Sequence, residues 1–231
     1  MLSNQGRKAV FSLCSKINED YFNCETLLSL FDTYVSSILN YGCEVWGYHK
    51  ADDVENVHIS YLKRILKVRK SAVNYMVYCE LGRFPMYIET YCRMLRYWFK
   101  LLCTDNCILK CLCEDMFESS VVKTNYKLNW ACRVKDILFR YGFHNIWISQ
   151  YVNHVEFFMC EFKQRMKDNF ISEMNTFLMS LLIVIYTDIC LTIMFYNFIL
   201  IVHLLIFISH IFVKCVYQHI ILILKLEDSK I

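Results

Sequence analysis

Every glycine, alanine, arginine, proline and tryptophan of this 231-residue chain lies before residue 166, and none lies after it. Residues 1–165 mix charge with periodic apolar positions, as a folded body does, whereas residues 166–231 drift into Ile, Leu, Phe, Met, Tyr and Asn. Two stretches of different character, and by this reading of different origin, are joined. The first is long enough to bury a sizeable core by itself. The second is either a membrane segment or a stretch never selected to fold. The expected organisation is a helical domain over 1–172 followed by a hydrophobic tail over 173–231.

Charge and cysteine content narrow the classes only a little. Up to Glu173 there are 22 basic and 19 acidic residues, and beyond it three of each. So mild an excess does not by itself argue for nucleic acid. The 13 cysteines are many and odd in number, but no charged n-region followed by an apolar h-region opens the chain at 1–13. A disulfide framework is therefore not expected; a reducing, cytoplasmic or membrane-associated setting is, with most thiols acting as small buried hydrophobes.

Apolar residues recur with helical period throughout the first part. Val10, Leu13, Cys14 and Ile17 fall at i, i+3, i+4 and i+7. Leu27, Leu28, Phe31, Tyr34, Val35, Ile38 and Leu39 predict a second helix that Gly42 closes. A third, over about 53–68, is announced by Asp52 and Glu55 in the spacing of a capping box and carried by Val54, Val57, Tyr61, Leu62, Ile65 and Leu66. Gly82 and Pro85 punctuate the end of one helix at Met76–Leu81 and the start of another that carries Ile88, Tyr91, Leu95, Trp98, Phe99 and Leu102. Asn129 caps a further helix through Trp130, Val134, Ile137 and Leu138, which ends near Gly142. Strand-like alternation is scarce. The expected fold class is all-α, a helical bundle followed by a hydrophobic C-terminal helix that is a transmembrane candidate.

Residues that invite a chemical reading have plainer ones beside them. Asp52 and Asp53 resemble the paired aspartates with which polymerases hold metal ions, but Lys50 stands where reverse transcriptases carry an aromatic, and acids are stabilised at a helix start. Cys103, Cys107, Cys111 and Cys113 form a C-x3-C-x3-C-x-C run, three of which share a face if one helix spans them. That is not the paired spacing of a structural zinc site, and no histidine lies between Cys103 and Phe143. His49, His58, His144 and His154 lack a nucleophile at a recognisable spacing and read as surface or packing residues. No phosphate-cradling glycine loop or nucleophile elbow occurs. No catalytic residue, metal site or cofactor is assigned.

Two basic stripes remain. Lys63, Lys67 and Lys70 fall within about 60° of one another if a single helix carries them, with Arg64 and Arg69 flanking. Arg93, Arg96 and Lys100 make a second stripe beside Tyr97 and Trp98. Such stripes suit phosphate contacts, each of which makes binding more salt-sensitive. Equally, bases near a helix C-terminus complement its dipole and cover a solvated face.

The segment Leu30–Tyr48, LFDTYVSSILNYGCEVWGY, resembles a stretch downstream of the polymerase core in non-LTR (LINE-type) retrotransposon reverse transcriptases. VHISYLKRILKVRK at Val57–Lys70, VYCELGRFPMYI at Val77–Ile88 and WACRVKDIL at Trp130–Leu138 are similar to the same region. The likeness covers about Gly6 to Ser172, with NYGCEVWG as its specific piece. It implies a detached thumb-and-beyond portion, catalytically inactive, with the polymerase motifs expected upstream of Met1 and no endonuclease domain. In the intact enzyme that region would help to hold template and primer, which implies RNA or DNA as the partner of Lys63, Lys67, Lys70, Arg93, Arg96 and Lys100. The Cys/His knuckle of many relatives is not matched, so no metal is carried over.

The tail admits two explanations that stay open. Residues 189–213 hold 25 residues without a formal charge, long enough to cross a hydrocarbon core of about 30 Å. Their 17 Leu, Ile, Phe and Val residues favour insertion by about 5–10 kcal/mol before polar groups subtract. Asp188 disfavours a second span over about 177–195, while Lys163, Arg165 and Lys167 would keep the helical part cytoplasmic. Alternatively, a run poor in residues with GC-rich codons is what translated AT-rich flanking DNA looks like. The alternative functional class is accordingly a single-pass membrane protein.

Overall fold

A computed structural model describes residues 2–18, 21–48, 51–121 and 129–193, and among these the chain is all helix and connecting turns, without a strand. By its internal contacts the chain divides into two compact units, Met1–Ser172 and Glu173–Ile231. The elements of the first are α1 (Leu2–Lys16), α2 (Cys24–Phe31), α3 (Ser37–Leu39), α4 (Cys43–Trp46), α5 (Asp52–Ile65), α6 (Asn74–Leu81), α7 (Met86–Leu102), α8 (Cys107–Val121), α9 (Trp130–Arg140), α10 (His144–Ser149) and the opening part of α11 (Val155–Ile193).

The order of burial explains the arrangement. On α7, Ile88, Tyr91, Cys92, Met94, Leu95, Trp98, Phe99 and Leu101 are all buried, more than one face of a surface helix requires. This helix is accordingly the centre, with α4, α5, α8 and α9 packed on it. Val134, Ile137 and Leu138 of α9 join the same core, as do Phe158, Phe162, Met166 and Phe170 of α11, spaced every fourth residue along one face. Each large side chain so buried contributes roughly 1.5–3 kcal/mol relative to exposure. A smaller core gathers Phe31, Val35 and Leu39 with Val54, Val57 and Tyr61 of α5, covered by Ala9, Val10 and Leu13 of α1.

Sequence periodicity anticipates a single helix over Leu27–Leu39; the structure inserts a π-helical turn at Asp32–Ser36 between α2 and α3. The widened turn keeps Phe31, Val35 and Leu39, four residues apart, together on the buried side, where each is at most 2 % exposed. Gly42 does not close this helix, which ends at Leu39; it stands in the left-handed conformation at the start of α4. Gly82 and Gly142 do fill the positions expected of them. Each is left-handed just past α6 or α9, and the following amides, Arg83 to Tyr78 and Phe143 to Leu138, complete the C-terminal hydrogen bonds. Asn129 caps α9 by accepting the Ala131 amide at 2.9 Å.

Helix α5 begins near its expected start, but its end and its cap differ from expectation. Ala51 is the N-cap and makes no side-chain cap bond, so Asp52 and Glu55 do not form a capping box. The helix stops at Ile65 rather than about residue 68. No described helix is long and apolar enough to cross a membrane. Of the expected 189–213 span, residues 194–213 lie outside the described residues.

Candidate functional site

The first basic stripe is not a stripe on one helix. Lys63 and Arg64 end α5, and Lys67 then takes the left-handed conformation, φ +54°. Its amide bonds the Arg64 carbonyl at 3.0 Å and the Val68 amide bonds the Lys63 carbonyl at 3.1 Å, the pattern that closes a helix around a residue usually found to be glycine. The chain turns back, and the Lys63 ammonium donates to the Lys70 carbonyl at 2.7 Å. Lys63 is half-buried, whereas Arg64, Lys67, Arg69 and Lys70 are exposed. The result is a compact basic turn: five cations within residues 63–70, and no acidic residue anywhere between Glu55 and Glu80.

The second stripe has acidic company. Arg93 pairs with Glu89 one turn earlier at 3.4 Å, and Arg96 reaches Glu156 of α11 at 3.3 Å. Lys163 of α11 also bonds Glu89, at 2.9 Å. Burial works against the Glu89 carboxylate, but the bond and charge of Lys163, with Arg93 beside it, outweigh this and hold its pKa below the ordinary value. Arg96 thus joins α7 to α11 through Glu156, as Glu89 does through Lys163, while Arg93 pairs within α7. Lys100 is exposed. The structure brings Lys63, Lys67 and Lys70 together, and places Arg93, Arg96 and Lys100 on a different helix.

The remaining candidates settle into structural places. Asp52 and Asp53 occupy the first turn of α5, exposed, where negative charge is favourable. Cys103 ends α7, and Thr104–Asn106 separate it from Cys107 and Cys111 on α8, so the three do not share one helical face. Asn106 begins α8 by accepting the Ile108 and Leu109 amides. Among the described residues no group of three or more His, Cys, Asp or Glu is placed to hold a metal. His144 and His154 are exposed, and His49 lies outside the described residues.

Two features escaped the sequence reading. One is a polar hub at Glu55, whose carboxylate faces His58 Nδ1 at 3.0 Å, accepts the Met86 amide at 2.7 Å and accepts the Tyr78 hydroxyl. His58 is buried and stacks on the Phe31 ring at 5.2 Å. The hub ties α5, α6 and the first turn of α7 together. Only the Asp/Glu-rich helix start hinted at it.

The other is the construction of NYGCEVWG. Trp46 donates its indole N–H to the Tyr41 carbonyl at 2.9 Å, and Trp130 of α9 donates to the Glu44 carbonyl at 3.0 Å. Cys43 is fully buried. Gly47 lies so close to neighbouring backbone that a Cβ there would sit 2.2 Å from the Cys43 carbonyl oxygen. Beyond it, the Arg133 guanidinium lies over the Tyr48 ring at 5.3 Å. The block therefore builds a buckle between α4, α7 and α9, with Trp46 and Gly47 in structural roles.

No protein-family model, curated protein or solved structure matches the chain.

Proposed function

We propose that the chain is a catalytically inactive remnant of the C-terminal region of a non-LTR retrotransposon reverse transcriptase that retains binding to the phosphodiester backbone of RNA or DNA. The observation that carries the binding is the basic turn after α5, where exposed Arg64, Lys67, Arg69 and Lys70 crowd into one reversal of the chain. Such a cluster attracts phosphates without reading sequence. Arg93 and Arg96, already opposed by Glu89 and Glu156, add less. The ancestry rests on the likeness of the Leu30–Tyr48 segment and the three shorter ones. Filter binding of the full chain in a non-ionic detergent tests the function. Affinity for an oligonucleotide at low salt, lost when Lys63, Lys67, Lys70, Arg93, Arg96 and Lys100 are neutralised, supports it; absence of affinity, or retention after neutralisation, rejects it.

A second reading, a single-pass membrane protein, is favoured by the uncharged run over residues 189–213 and the cations Lys163, Arg165 and Lys167 before it. Lys163 and Lys167 also serve packing, one on Glu89 and the other over the Phe84 ring at 5.0 Å. Alkaline carbonate extraction decides: retention in the membrane pellet supports the span, and full release into the supernatant ends it.

A further inference from the structure

Of the five cations of the α5 turn, Lys63 is bonded to the backbone of the turn itself. Lys63 Nζ is 2.7 Å from the Lys70 carbonyl oxygen, bridging seven residues across the reversal, and its side chain is half-buried. A bond from a charged donor to a backbone carbonyl is stronger than a neutral one. It draws the far limb of the loop back onto the end of α5, over the turn that Lys67 makes with its left-handed backbone. Ala72 then bonds the Arg69 carbonyl at 3.0 Å, giving the limb a turn of its own. A loop held at both limbs presents Lys67, Arg69 and Lys70 without first having to be ordered, which is the cost a mobile basic loop meets on binding.

We infer that Lys63 is a positioning residue for phosphodiester binding, acting through the Lys70 carbonyl, while Lys67, Arg69 and Lys70 make the phosphate contacts. The inference rests on the nucleic-acid reading above and divides its residues into two kinds. A contact residue changes how steeply affinity falls with salt, because it releases counterions; a positioning residue lowers affinity at every salt concentration and leaves the slope alone.

The test uses the full chain in non-ionic detergent with a labelled oligouridylate and the matching oligodeoxynucleotide. Lys67→Gln and Lys70→Gln each reduce the salt slope by about 0.7–0.9. Lys63→Met weakens binding several-fold with the slope and the thermal midpoint unchanged, and Lys63→Arg restores it. Without nucleic acid, Lys63→Met speeds hydrogen exchange of the Lys67, Val68 and Ala72 amides by roughly tenfold, on the scale of one charged hydrogen bond. Unchanged exchange in Lys63→Met overturns the inference whether or not the chain binds nucleic acid. So does a slope that falls with Lys63→Met as it does with Lys70→Gln. If neither oligonucleotide binds while the exchange rates do respond, the functional reading and the binding role of Lys63 fall together, and the loop clasp alone stands.

Discussion

The carboxylate of Glu55 on α5 accepts the backbone N–H of Met86, the first residue of α7, at 2.7 Å. Helix starts leave amides without intrahelical partners, and here a side chain from another helix supplies the acceptor. The same carboxylate takes the Tyr78 hydroxyl, so one residue fixes the central helix, α6 and α5 in mutual register. Glu55→Ala is expected to lower unfolding free energy by about 2–3 kcal/mol, since it strands an amide and a buried hydroxyl. Urea denaturation checks this; a loss below about 0.5 kcal/mol, the range of an ordinary surface substitution, contradicts it.

Two glycines should respond very differently to a methyl group. At Gly47 the added carbon would lie 2.2 Å from the Cys43 carbonyl oxygen and 3.2 Å from that of Thr90, both backbone atoms that cannot swing aside. Gly47→Ala should therefore destabilise by about 3 kcal/mol or more, as overpacking does at its severe end. Gly82, at φ +60° with open space around it, meets only the left-handed penalty, about 1 kcal/mol. Thermal melts of both variants give the ordering, and equal shifts would refute the assigned geometry.

Lys67 offers a variant in which stability and binding move in opposite directions. Its φ of +54° suits glycine. Lys67→Gly is expected to gain about 0.5–1 kcal/mol of stability by relieving the strain. It should at the same time weaken oligonucleotide binding and flatten its salt dependence. A melting temperature that falls would show that the lysine side chain stabilises the turn more than its backbone strains it.

Alkaline conditions should loosen the fold. Burial pushes the Cys43 thiol up to about 11 and the Cys92 thiol up to about 12 from 9.0, with nearby Glu44 and Glu89 adding respectively. Burial and the adjoining Glu55 also raise the Tyr78 hydroxyl far above its ordinary value. In each case the folded chain holds a proton that the unfolded chain releases. This stability is fully present below pH 9.0 and drains away as pH climbs through the folded-state values. Denaturation at stepped pH measures the decline. Replacing Cys43 and Cys92 by Ala should make it shallower, and an unchanged slope would contradict the assignment.

Acid acts through Glu89 with the opposite sign. Its pKa is lowered on balance, so its contribution is complete above the ordinary carboxylate range and is lost as pH falls through the folded value. Glu89→Gln should remove part of the acid sensitivity and loosen the seating of α11 through Lys163. Identical acid midpoints for the two proteins would contradict it.

Local signals were legible where local forces decide. The helical character, the left-handed glycines at 82 and 142 and the Asn129 cap follow from periodicity and from backbone preferences within a few residues. What escaped depends on partners far along the chain. Glu55 has the spacing of a capping box, but the chain enters α5 at Ala51, one residue earlier, and the carboxylate is taken by Met86, 31 residues on. The Lys63, Lys67, Lys70 stripe presumed a helix that continues past Ile65; the left-handed turn at Lys67, a conformation lysine seldom adopts, bent it into a loop. Arg96 looked available because its acid, Glu156, lies 60 residues away in sequence, whereas the Glu89 that pairs with Arg93 stands one helical turn before it.

The most direct measurement sets two charge-neutralised full-length proteins side by side in an oligonucleotide salt titration. One carries Lys67→Gln, Arg69→Gln and Lys70→Gln; the other carries Arg93→Gln and Arg96→Gln. The α5-turn protein should lose most of its affinity and about two units or more of salt slope, from three contacts at about 0.7–0.9 each, while the α7 protein loses clearly less of both. Equal losses in the two, or a wild-type chain that binds neither RNA nor DNA at low salt, would contradict the account.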